Sequence, residues 1–203
     1  MILVSLLGGA PTSWGETVDG LASWANGPVQ WLLLSDERKQ IRRVNTSLEA
    51  EGFVEDFWAL RDPQPDEPGN PYREAFVQRV EAADVLYGEK GVRGSLTDRG
   101  RALILLGPPT HVTISTEPAL AWDPVESSDS RVKIRRVDVE IWGYRFADLP
   151  PGLLELWLEK KKKAAENTLT LTVMFRTVAH RTSLVEGGAL LETASRAAVL
   201  RPD

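Results

Sequence analysis

Apolar residues recur at helical spacing through the first half of the chain and alternate with polar ones through much of the second. This switch of period predicts helices followed by strands. Thr46-Ser47-Leu48-Glu49 has the spacing of a reciprocal N-terminal cap, and Phe53, Val54, Phe57 and Trp58 follow on one face. The spacing predicts a helix that stops at Asp62, because Pro63 disfavours helical geometry in the residue before it. Ahead of it, Ser35 with Asp36 and Glu37 in the first turn predicts a short helix to about Val44. Asn70-Pro71 opens a third helix, with Tyr72, Phe76, Val80, Ala83 and Tyr87 on one stripe and Gly88 as its stop. The prolines between 63 and 69 make the link a stiff connector. Residues 12–28, rich in Gly, Ser and Thr without a sustained period, read as a linker or loosely packed arm.

The middle of the chain carries its densest apolar run. Thr97-Asp98-Arg99-Gly100-Arg101 leads into Ala102-Leu103-Ile104-Leu105-Leu106 and a Gly107-Pro108-Pro109 stop. Five unbroken apolar residues between turn signals predict a short strand buried on both faces, at the centre of a sheet. His111–Thr116 reads as a further short strand and Glu117–Ser130 as a polar surface loop. Val132 and Ile134 alternate in one phase and Val137, Val139 and Ile141 in the other, which predicts a bulge near Arg135-Arg136. Leu154, Leu156 and Leu158, then Leu169, Leu171, Val173 and Phe175, alternate with polar neighbours and predict two antiparallel strands joined by 160–167. Ser183 with Glu186 has capping spacing for a last helix to about Val199, weakened by Gly187-Gly188.

The expected fold is α+β, with two or three N-terminal helices on one face of a mainly antiparallel sheet and a candidate C-terminal helix. The expected organisation is a signal-like segment and linker over 1–28, a domain over 29–178 and an extension over 179–203. With 203 residues, 42% of them hydrophobic, the chain can bury a substantial core. Acids outnumber bases, 29 to 24, which argues against a nucleic-acid partner. The absence of cysteine removes disulfides, thiolate nucleophiles and cysteine-ligated metals. No apolar run reaches the roughly 18 to 20 residues of a membrane-spanning helix. Ile2–Leu7 followed by Gly8-Gly9-Ala10 resembles the end of a secretory signal, although no Lys or Arg precedes it. Export is one expectation; an N-terminal strand or a misplaced start codon, with the protein cytoplasmic, is the other.

Candidate chemistry concentrates around Asp98, Arg99 and Arg101. The arginines could hold a carboxylate or phosphate. Alternatively Asp98 accepts backbone N–H groups at the turn, Gly100 takes a conformation closed to other residues, and the arginines pair with Asp62 or Glu81. Gly107-Pro108-Pro109 lacks the amide donors of a phosphate cradle. Arg61 and Asp62, with Asp66, Glu67 and Asn70, put oxygens along one loop, but the spacing fits no EF-hand and helix termination accounts for Asp62. His111 could act as general base with Asp98 as its orienter, yet no serine or threonine is marked as nucleophile. Trp58 and Trp142 read as core, whereas Trp31, Trp122 and Trp157 are candidates for a partner or sugar surface. Arg131, Lys133, Arg135 and Arg136, and separately Lys160–Lys163, form basic stripes that read as solvated edges resisting strand addition.

Four segments occur in a recognisable order: Phe57-Trp58-Ala59-Leu60-Arg61-Asp62-Pro63-Gln64-Pro65; Tyr72-Arg73-Glu74 with Arg79-Val80; Gly94 to Arg101 running into Leu106-Gly107-Pro108-Pro109; and Glu140-Ile141-Trp142-Gly143-Tyr144. Over about 28–178 the chain resembles the GWxTD domain family of bacterial proteins. The tryptophan that names the family is Ser95 here, followed by Leu96, so that ring is missing from the position. The resemblance implies a protein that is often exported and has no established activity.

The leading expectation is a non-enzymatic structural or protein-interaction domain of the bacterial envelope, without a cofactor or metal and with another protein as partner. The alternative is a module binding an anionic or carbohydrate ligand, for which Arg61, Asp62, Asp98, Arg99, Arg101 and His111 are the candidate residues. A hydrolase using Asp98 and His111 comes third.

Overall fold

A computed structural model describes residues 17–122, 132–150, 152–160 and 170–199; the side chains of 119–122, 132–135, 158–160 and 170 fall outside the description. Within these residues the α+β class holds, with seven α-helices and one four-stranded antiparallel sheet. The chain forms two compact units, Met1–Leu60 and Arg61–Asp203.

The first unit holds α1 (Val18–Ala25), α2 (Ser35–Ile41) and α3 (Ser47–Ala59), with a 3-10 turn at Pro28–Trp31. Residues 18–25, expected as part of a linker, are a helix because Thr17 caps Gly20 N–H (3.0 Å) and Leu21 and Trp24, one turn apart, are both buried. Only two buried residues carry that face, too few for a period to show among the surrounding small residues. In α2, Glu37 accepts Leu34 N–H (2.7 Å), so Ser35 is the first helical residue rather than the cap. The reciprocal cap of α3 is formed as expected: Thr46 Oγ1 accepts Glu49 N–H (3.2 Å) and Glu49 accepts Thr46 N–H (3.1 Å). Trp24 meets Phe57 edge to face, ring centroids 4.9 Å apart, and fixes α1 on α3.

The second unit begins with α4 (Pro71–Leu86), capped by Asn70, then a 3-10 turn at Gly94–Leu96 and α5 (Asp98–Leu106). The expectation of a central strand over 102–106 is therefore wrong. Thr97 caps the segment, Asp98 lies in its first turn, and Ala102, Leu103, Leu105 and Leu106 are strong helix formers. All five apolar residues are buried, so α5 is a helix enclosed by protein all round, which periodicity cannot distinguish from a buried strand. Gly107, at φ 82, ends it, and Arg79 of α4 donates to the Ile104 carbonyl (3.1 Å), covering one of the open acceptors at the helix end.

The sheet comprises β1 (His111–Trp122), β2 (Val132–Arg145), β3 (Thr170–Val178) and β4 (Arg181–Glu186), paired in that order. β1 is longer than expected, and 117–122 belongs to it rather than to a loop; residues 123–131 lie outside the described residues. The register of β1 and β2 is continuous from His111↔Gly143 to Trp122↔Val132, so the expected bulge near Arg135-Arg136 is absent; the irregularity lies instead in the β3–β4 pair at Met174/Phe175. Trp142, Tyr144, Leu171, Val173 and Phe175 share one buried face, while Val137 and Val139 on the other are buried as well. β2 thus carries buried residues on both faces with no residue inserted in its register with β1.

The segment from Leu154 to Glu159, expected as a strand, lies in a helix, α6 (Leu153–Lys160). Leu153, Leu156 and Trp157 sit at helical spacing, and the alternation of leucine with Glu155 and Trp157 is coincidental to it. Ser183 does not cap a helix: it lies in β4, and the last helix, α7 (Gly188–Ala197), starts only after Gly187, whose carbonyl accepts Leu190 and Leu191 N–H. The signal-like 1–10 and the basic stretch 161–163 lie outside the described residues, as do the side chains of Lys133 and Arg135. No helix among the described residues is long and apolar enough to cross a membrane.

Candidate functional site

The segment from Gly94 to Arg101 is the junction of the second unit. A Cβ at Gly94 would stand 1.9 Å from the Ala83 carbonyl oxygen of α4, and one at Gly100 would stand 1.9 Å from the Gly94 carbonyl oxygen. Both glycines thus allow the 3-10 turn to lie directly between α4 and α5. Asp84 of α4 holds the turn by accepting Ser95 N–H (2.7 Å) and pairing with Arg93. Burial raises the Asp84 carboxyl, but hydrogen bonds from Ser95 and Arg93 outweigh this and leave it below its ordinary value. Thr97 Oγ1 donates to the Gly94 carbonyl (2.7 Å) and accepts Gly100 N–H (3.1 Å), joining the turn to α5. Ser95 is wholly buried at this point.

The charged residues that follow reach across to the sheet. Asp98 Oδ2 accepts Leu184 N–H (2.7 Å), and Glu89, between α4 and the 3-10 turn, accepts Thr182 N–H (3.1 Å). Two carboxylates therefore cap alternate amides along the outer edge of β4. Arg99 sits between Glu89 (3.7 Å) and Glu140 of β2 (3.4 Å), with its guanidinium 5.2 Å from the Tyr87 ring centroid. Glu140 also accepts the indole N–H of Trp142 (2.6 Å), and Trp142 in turn packs against Tyr87 and Phe175. Arg99 is thus a cation held by two anions and an aromatic face, tying α5 to the sheet.

The remaining candidate residues have surroundings of their own. Arg101 is half-buried; burial pulls its guanidinium down from its ordinary value, and the carboxylates of Asp98 and Glu192 act in the opposite direction. Arg61 is buried and lies with Tyr72. Burial pushes the Tyr72 phenol up to about 12, against the pull of Arg61 and Arg79. Asp62 accepts Gln64 N–H (3.0 Å) as helix termination predicts, and Asn70 is spent on capping α4. His111 opens β1 with its ring over Gly143, where a Cβ would stand 1.9 Å from it. Asp98 faces β4, at the other side of the sheet from β1.

The arginine partners expected from sequence, Asp62 and Glu81, are replaced for Arg99 by Glu89 and Glu140. Strand alternation puts Glu140 and Trp142 on one face and was available as a signal; nothing local marks Glu89. Trp58 and Trp142 are core, as expected, and Trp31 and Trp157 are half-buried; the Trp122 side chain lies outside the described residues. Among the described residues, no three His, Asp or Glu side chains gather as a metal site would require. No family model, curated protein or solved structure matches the chain.

Proposed function

We propose that this chain is a non-enzymatic structural or protein-interaction domain of the bacterial cell envelope. The observation that carries the reading is the use made of Asp98 and Arg99: one caps a strand edge and the other joins two carboxylates, so both are engaged by the protein's own groups. An anionic ligand approaching Arg99 would meet Glu89 and Glu140 first, which disfavours the ligand-binding alternative. A hydrolase would need Asp98 to turn from Leu184 N–H toward His111. The resemblance to GWxTD proteins in segment order supports the bacterial and envelope setting.

Thermal unfolding of the full chain with phosphate, sulfate, sugar acids and neutral sugars, alongside cross-linked capture from a cell-envelope fraction, tests the reading. The expected result is an unchanged Tm with every small molecule and a protein partner retained by the wild-type chain. A small anion or sugar that raises the Tm of the wild type but not of an Arg99→Met variant would overturn it.

A further inference from the structure

The two edges of the sheet are treated differently. On β4, Thr182 and Leu184 give their outward amides to Glu89 and Asp98, so that edge is closed by the protein's own carboxylates. On β1, among the described residues, no hydrogen bond reaches the outer edge of 111–117, and every one of these residues except Ser115 is exposed. His111-Val112-Thr113-Ile114-Ser115-Thr116 carries no formal charge at neutral pH with its histidine neutral, no proline and no glycine. Ile114 is 71% exposed and Val112 46% exposed. Edge strands normally avoid this combination with charge, proline, bulges or a cover.

We propose that this edge pairs with the same edge of a second copy of the chain, antiparallel about a two-fold axis at Ile114. Pro118 defines which amides are available. It sits in unbroken register opposite Arg136, and having no N–H it is accommodated where its nitrogen faces away from β2. Strand alternation then turns the amides and carbonyls of Val112, Ile114 and Thr116 outward too. With Ile114 opposite Ile114 of the second copy, Val112 falls opposite Thr116 and the two copies exchange about six main-chain hydrogen bonds. Pro118 falls just beyond the last of them, so the missing donor costs nothing.

The register is also favourable for the side chains. Val112 and Ile114 of both copies come together on one face. On the other, Glu117 falls opposite position 111 of the second copy, so no carboxylate stands opposite another carboxylate. A second copy therefore covers the apolar positions of the edge without opposing like charges. The pairing depends on β1 alone and does not require the reading of Asp98 and Arg99 given above.

Sedimentation of the full chain across a wide concentration range tests it, with Ile114→Lys and Ile114→Pro as variants. Lysine would place like charges directly opposite each other. Proline would remove an outward donor while leaving the β2 ladder intact, as Pro118 does. The expected result is a concentration-dependent dimer for the wild type, with dissociation constant raised by about tenfold or more in both variants and circular dichroism unchanged. The chain lacks cysteine, so a nitroxide on a single Ile114→Cys substitution reports the register. The distance between the two labels is expected to be shortest there and greater for labels at 112 or 116. A wild-type chain that stays monomeric at every concentration overturns the proposal. So does a dimer indifferent to Ile114→Lys, or an edge that takes up an extended segment of a different protein while the chain itself remains monomeric.

Discussion

Asp98 shows what a single residue type discloses and what it hides. Turn chemistry after Thr97 was legible from the residue types, although the Gly100 amide goes to Thr97 and not to Asp98 as expected. The acceptance of Leu184 N–H by Asp98, 86 residues along the chain, was not, because no local pattern encodes a contact between distant segments. The same holds for Arg99 and Glu140, 41 residues apart. Burial of the tyrosines has a consequence that can be measured. All three phenols, Tyr72, Tyr87 and Tyr144, are held above their ordinary value, in each case with burial as the largest cause. The unfolded chain releases phenolic protons near pH 10, while the folded chain retains them. Stability from this source is intact below about pH 10 and falls as pH rises above it, where the unfolded state binds fewer protons than the native one. Spectrophotometric titration should show phenolate absorbance rising later in the native protein than in urea; coincident curves would contradict the burial of these rings.

At the scale of elements, the helix α5 is the instructive case. Its apolar run lies between a threonine cap and a Gly-Pro-Pro stop, signals that serve a helix as well as a strand. The decisive feature is burial on every side, which erases the amphipathic stripe by which helices are read. The same error at α6 has a different root, since eight residues are too few for leucine alternation to separate the two periods. By contrast, α3 and the start of α4 were legible because caps act locally: Thr46 with Glu49, and Asn70 with Arg73, bond within three residues. The glycines of these elements separate by environment. Gly100→Ala would force backbone apart between α5 and the 3-10 turn and should cost about 3 kcal/mol or more. Gly52→Ala, inside α3 with nothing within 4 Å of the added carbon, should stabilise by about 0.5 to 1 kcal/mol. Urea unfolding of the two variants checks this, and similar midpoints would contradict the close approach at Gly100.

For the whole molecule, the α+β class and the antiparallel sheet followed from the switch of period along the chain, because each period reflects how one element meets its core. The division at Leu60 falls just ahead of the proline-rich connector at 63–69, which the sequence showed as a link between helices and not as a boundary between units. Nor could the sequence show that the polar residues of 94–101 are shared among four elements, α4, α5, β2 and β4, and so act as the joint of the second unit. That joint is the centre of the account, and Asp98 is its most direct probe. Removing the carboxylate leaves Leu184 N–H without its acceptor, a loss of about 1 to 3 kcal/mol, whereas an amide at the same place still accepts. The decisive measurement is the urea unfolding free energy of Asp98→Ala and Asp98→Asn in the full chain. The account predicts a loss of about 1 to 3 kcal/mol for alanine and a smaller one for asparagine; wild-type stability in both variants would contradict it.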